Sequence, residues 1–237
     1  MSQKGYASRR AALLDGVRVS LGAPSAVLAA GYLGFAALAQ AGQFPLWAAL
    51  LSTATIWALP GQLVMIEMFR AGAASLLIVV AVAFTAMRFL PMTVSFMPLL
   101  REPRHRPWHL YAASHVLAMT NWALCLGRVR ELPLPQRMPY FLGFALTNWV
   151  VCMAATAVGY FLVGSFPPIV NRGLVLISPL YFLVILSGEY RNRLASTALL
   201  LGAVLGPLIY RYTPEWSILA AGLIGGTLAY LMLRRRA

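Results

Sequence analysis

The sequence of 237 residues contains a single lysine, Lys4, and a single aspartate, Asp15. With its lysine near the amino terminus, the chain cannot form a Walker-type phosphate loop, which requires a lysine beside the phosphates. The same count excludes a lysine Schiff base for retinal or pyridoxal phosphate. The glutamates Glu67, Glu102, Glu131, Glu189 and Glu215 all fall at the ends of apolar segments. No buried carboxylate pair is therefore expected for acid–base work. Cys125 and Cys152 lie inside apolar stretches and read as small buried side chains rather than a disulfide. His105, His109 and His115 are close in sequence, but Pro107 breaks the i, i+4 face that helical zinc sites use. No G-x-S-x-G nucleophile elbow occurs. These gaps predict no enzyme activity, no metal and no cofactor.

What remains is apolar. Hydrophobic residues make up 60% of the chain and charged residues only 11%, with mean hydropathy +0.75, whereas soluble domains carry about 25% charged residues. A bilayer crossing needs about 20 apolar residues. The pattern predicts helices over 18–40, 45–69, 74–99, 110–127, 138–163, 173–187, 194–210 and 216–233. The fold class is all-α, a polytopic membrane bundle of about seven or eight transmembrane helices, since 173–187 and 194–210 are short for full spans. The organisation is an amino-terminal segment over 1–17, one integral membrane domain over 18–233 and a basic tail over 234–237. The segment 37–41 resembles a signal-peptidase site, but its apolar run is too long for a signal peptide and reads as a first membrane helix.

The net charge of +13 does not imply nucleic acid, because the basic residues cluster at segment ends. Eight crossings with the amino terminus in the cytoplasm place most of them inside, the positive-inside pattern, and leave Arg101, Arg104, Arg106, Arg172 and Arg211 outside. A re-entrant third segment would move the 101–106 cluster inward.

Arg88 is the one charge between Arg70 and Arg101. A mid-helix arginine costs roughly 2.5 to 3.5 kcal/mol and normally faces protein or water with a partner. It pairs either with backbone carbonyls or Glu67, or with a ligand. Pro60 and Gly61 lie deep in the second segment and Pro91 follows Arg88, so the second and third helices are expected to be discontinuous. Half-helix amino termini suit anionic groups, and Gln62 would project from one. The echo Thr120-Asn121-Trp122 and Thr147-Asn148-Trp149 supplies polar amides that either bind between helices or contact a solute.

The order of these features resembles the AzlC-type large subunit of branched-chain amino acid exporters. The likeness runs through Asp15-Gly16, Gln40-Ala41-Gly42 with Pro45, and Ala58-Leu59-Pro60-Gly61-Gln62-Leu63. Arg88 matches the arginine of the family's Arg-His pair, and Trp149 matches a tryptophan of helix five. Phe89 replaces the histidine, and Asn121-Trp122 replaces an Asp-Glu pair found in many members. The resemblance implies export of valine and similar amino acids together with a small four-helix AzlD-type membrane subunit. The expected substrate site comprises Arg88, Gly61, Gln62, Thr120, Asn121, Asn148 and Trp149. The alternative is a scaffold subunit that forms a pathway only with its partner.

Overall fold

A computed structural model describes residues 5–162, Ile169, 193–213 and 216–234. Its described residues form helices and no strands. The helices are α1 (Arg9–Ser20), α2 (Ala23–Ala41), α3 (Leu46–Thr55), α4 (Leu59–Arg70), α5 (Ser75–Ala86), α6 (Phe89–Leu100), α7 (Pro107–His115) and α8 (Met119–Glu131), followed by α9 (Leu134–Leu162), α10 (Arg193–Tyr210) and α11 (Ser217–Arg234). By length and composition, α2 and α9 can each cross a membrane, and α5 with α6 makes a third candidate bent by 47°.

The spine is α9, whose 29 residues extend about 43 Å at 1.5 Å per residue. Helices α1 and α2 run beside it in the same direction. Tyr6 pairs with Gln136 at the start, Ser20 and Ser25 reach Asn148 midway, and Gly159 lies under Leu33 near the end. Glycine permits the close approach. A Cβ on Gly16 would collide with the Tyr140 carbonyl, and one on Gly143 with the Leu13 carbonyl.

The segment 45–69 does not pass straight through the fold. Its outer ends meet, with Phe44 and Phe69 in edge-to-face contact at 5.1 Å and Gly42 against the Arg70 side chain. Helices α3 and α4 thus form a hairpin with its tip at Ile56, Trp57 and Ala58. Trp57 makes the turn with φ of 41°, a conformation that costs an L-residue roughly 1 to 2 kcal/mol. The sequence pattern locates the interruption at Pro60-Gly61, but the chain turns just before them. Proline fits in a helix's first turn, where its missing N–H costs nothing, so Pro60 starts α4 instead of breaking it. Pro91 likewise sits in the first turn of α6, and the bend lies at Met87 and Arg88.

The segment 110–127, read from sequence as one helix, is also interrupted, at Val116, Leu117 and Ala118. Neither proline nor glycine marks the place. Asn121 donates to the Val116 carbonyl at 2.9 Å, the local side-chain bonding by which asparagine competes with helix. Both outer ends of this α7–α8 hairpin lie beside the amino-terminal segment, Arg128 bonding Tyr6 and Glu102 bonding Arg9 at 2.9 Å. The α3–α4 hairpin opens at the opposite end, where Tyr160 donates to the Phe44 carbonyl. That hairpin turns the chain back on itself, and the Arg9–Glu102 pair places the 101–106 loop at the amino-terminal end of the bundle. Residues 173–187 lie outside the described residues.

Candidate functional site

The two hairpins enter from opposite ends and meet at their tips. His115, the last residue of α7, bonds through Nε2 to the Ala54 carbonyl at the end of α3, at 2.9 Å. Trp149 of α9 donates its indole N–H to the same oxygen at 3.3 Å. A carbonyl can only accept, so His115 Nε2 carries a proton.

Two buried polar nodes flank this junction. In the first, Asn148 donates to Asn121 Oδ1 at 2.9 Å, and its own Oδ1 accepts from Ser20 at 3.0 Å and Ser25 at 2.7 Å. All four side chains are buried. This node ties α1, α2, α8 and α9 together, and it occupies the amides that the sequence offers to a solute. Thr147 is turned to the Gly143 carbonyl, and Thr120 stands half-buried in the first turn of α8.

The second node is centred on Gln62, which is 0% exposed. Ser52 and Thr53 each donate a hydroxyl proton to the Ala49 carbonyl. Their oxygens can then only receive, so Gln62 must present its amide hydrogens to them, and Nε2 does so at 2.9 and 3.0 Å. Thr53 also meets Thr156 of α9 at 3.1 Å. The orientation leaves Gln62 Oε1 buried with no hydrogen-bond partner, a condition that costs about 1 to 3 kcal/mol. Gln62 belongs to the second turn of α4, whose amino end carries no side-chain cap.

Gly61 permits the approach of α5, since a Cβ there would sit 2.7 Å from Thr85 Oγ1. Thr85 lies one turn before Arg88. Arg88 itself occupies the α5–α6 bend as the residue preceding α6, half-buried, with its guanidinium carbon 5.5 Å from the Phe89 ring centre. Glu67, a sequence-level candidate partner for Arg88, faces Arg70 at 3.5 Å.

Sequence reasoning missed Ser20, Ser25, Ser52, Thr53 and Thr156, because hydroxyls in apolar helices are common and only the fold shows which converge. It gave His115, inside the predicted helix 110–127, no role at a junction. Among the described residues no group of three or more His, Cys, Asp or Glu side chains could hold a metal ion.

A cavity of about 350 Å³ runs between α6 and α7, from Arg101 and His105 at the amino-terminal end to Thr93 and Ser114 at depth. A larger one, about 770 Å³, lies between the outer end of α4 and the α10–α11 pair. At the amino-terminal end Tyr6 donates to Asp15. Burial, and then that bond, push its phenol above the ordinary value.

The model of the family described as AzlC protein matches residues 25–166, from the first turn of α2 past the end of α9. No curated protein and no solved structure matches the chain.

Proposed function

The chain belongs to the AzlC protein family, and on that premise we propose that it is a secondary transporter that exports branched-chain or similar small amino acids across the bacterial inner membrane, with its amino terminus in the cytoplasm. The observation that carries this reading is the unpartnered, fully buried Gln62 Oε1 at the uncapped start of α4.

An amino acid zwitterion needs an acceptor for its ammonium and donors for its carboxylate. Gln62 Oε1 offers the acceptor. The free N–H groups of the first turn of α4 offer donors aligned with a positive dipole end, the arrangement that anions favour. Arg88 adds a guanidinium fork on the neighbouring bend, suited to a carboxylate. Gly61 keeps α4 and α5 close enough for both elements to face one solute. The buried tip residues Trp57, Ala58 and Leu59 form the apolar surroundings for an aliphatic side chain.

Asn121 and Asn148 act one step away, holding α8 against α9, α1 and α2. Trp149 holds the tip of the α3–α4 hairpin against α9 through the Ala54 carbonyl. Binding from alternate sides requires the two hairpins to part in turn, each opening toward its own face, which is alternating access built from discontinuous helices. The working unit includes a small four-helix AzlD-type membrane subunit, as the family resemblance implies.

The test is efflux of radiolabelled valine, leucine and isoleucine from proteoliposomes holding the chain with that subunit, comparing wild type with Arg88→Ala and Arg88→Lys. The reading predicts flux for wild type, loss for Arg88→Ala and partial retention for Arg88→Lys at equal protein abundance. Undiminished flux in Arg88→Ala removes the guanidinium from the site.

A further inference from the structure

We infer that the groove between α6 and α7 holds one anionic phospholipid, its headgroup at Arg101 and Arg106 and an acyl chain along Met97 and Leu110. The inference stands apart from the transporter reading and needs only the chain's place in a bilayer.

The charge at the mouth of the groove is lopsided. Glu102 is the one carboxylate in the loop before α7, and it is already shared by Arg9 at 2.9 Å, Arg104 at 3.0 Å and His105 at 3.5 Å. Among the described residues Arg101 and Arg106 have no acidic partner. Arg137 adds a third guanidinium close by, bonded at 3.1 Å to the carbonyl of Leu99, two residues before Arg101. Of the other carboxylates at this end, Glu131 pairs with Arg128 and Asp15 accepts from Tyr6. Basic pockets between membrane helices receive the headgroups of anionic lipids, and a guanidinium meets a phosphate through two parallel hydrogen bonds.

Below its mouth the groove is apolar. It descends from Arg101 to Thr93, eight residues along α6 or about 12 Å, against roughly 15 Å for the hydrocarbon of one leaflet. Met97, Pro107 and Leu110 line it, and Ser114 at the floor turns its hydroxyl to the Tyr111 carbonyl at 2.7 Å. The surfaces that flank it suit lipid. Leu90 and Val94 continue the Met97 stripe of α6 at helical spacing and are 70% and 66% exposed. On α7, Trp108 and Tyr111 stand three residues apart and are 60% and 76% exposed, and such amphipathic rings sit at the level of the headgroups.

These two halves together select the occupant. A free phosphate would meet the cations and leave the apolar floor and flanks uncovered. An apolar helix of another chain would cover those flanks and leave Arg101 and Arg106 without an anion. A phospholipid with a negative headgroup satisfies both.

The test uses the full chain in phosphatidylcholine vesicles and reads tryptophan fluorescence, because Trp108 stands at the rim. Dibrominated phosphatidylglycerol, which quenches tryptophan on contact, is titrated against dibrominated phosphatidylcholine. Wild type is expected to show a saturable component in which the anionic lipid binds at least about tenfold more tightly than the zwitterionic one, since each arginine near the surface contributes about fivefold. Trp108→Phe is expected to lose that component. Arg101→Gln combined with Arg106→Gln should bring the preference close to unity. Arg10→Gln combined with Arg130→Gln removes as much charge from the same end outside the groove, and should keep it. Thr93→Phe fills the floor and is expected to weaken binding at least about fourfold, the worth of one buried methylene, with the headgroup contacts intact. Equal quenching by the two lipids in wild type overturns the proposal and leaves the groove to a helix of another chain. Equal loss in the two double variants also overturns it, as a general effect of surface charge. So does displacement of the anionic lipid by millimolar inorganic phosphate, which would make this a site for a free anion.

Discussion

The rings of Phe44 and Phe69 touch edge to face at 5.1 Å although one precedes α3 and the other lies in the last turn of α4. That contact requires the chain between them to turn round inside the bundle. It follows that residues 42–45 and 70–73 lie together at one end of the bundle, and the prediction is that in the membrane they face the side opposite to residues 101–106. Single cysteines placed at Gln43, Gly72 and Arg104 should show this with a membrane-impermeant thiol reagent. The native Cys125 and Cys152 are buried and give little background. Positions 43 and 72 are expected to label together and position 104 from the opposite side. Labelling of 43 and 72 from different sides contradicts the hairpin.

Replacing Asn148 with leucine removes the acceptor for Ser20 and Ser25 and the donor for Asn121 in one step. Hydrogen bonds in membrane bundles average about 0.6 kcal/mol, but three stranded buried partners raise the cost to roughly 1 to 3 kcal/mol. A lowered melting temperature in detergent is expected, with Asn148→Asp intermediate, as it retains the acceptor. Wild-type melting for Asn148→Leu would mean that the node contributes nothing.

Gly143 and Gly16 make a reciprocal contact in which each Cα lies against a carbonyl of the other helix. An added methyl group meets backbone, which cannot rotate away. Gly143→Ala is expected to destabilise by about 1 to 3 kcal/mol and to release α1 from α9. Limited proteolysis near Arg9 and Arg10 reads this directly. By contrast Gly127→Ala, where the methyl group meets open space, should be neutral or slightly stabilising, through helix propensity.

Much of this fold is legible in the sequence, and the limits are physical. The apolar runs locate the helices because burying backbone in lipid leaves helix as the available form. Pro60, Gly61 and Pro91 mark discontinuities within a few residues, yet proline begins helices as readily as it ends them, so the turns fall upstream at Trp57 and Arg88. The interruption at Leu117 carries no breaker and is invisible to pattern, being stabilised by one side-chain bond from Asn121. Direction of travel is likewise hidden. A re-entrant pair and a single pass can have the same composition, and the Phe44–Phe69 and Arg9–Glu102 contacts are what separate them. Within the candidate site, Gln62, Asn121 and Asn148 stand out in sequence as amides in apolar surroundings. Which of them keeps a free acceptor depends on hydroxyls at Ser52 and Thr53 that sequence cannot orient.

The central claim, that Gln62 Oε1 receives the ammonium of an amino acid at the open end of α4, is tested most directly by competition. Leucine efflux is measured against unlabelled leucine and against its 2-oxo analogue, which keeps the carboxylate and side chain but lacks the ammonium. Wild type is predicted to prefer leucine by at least roughly tenfold, the value of one hydrogen bond to a charged group, and Gln62→Met to lose that preference while remaining folded. Equal competition by both compounds in wild type, or an undiminished preference in Gln62→Met, would contradict the account.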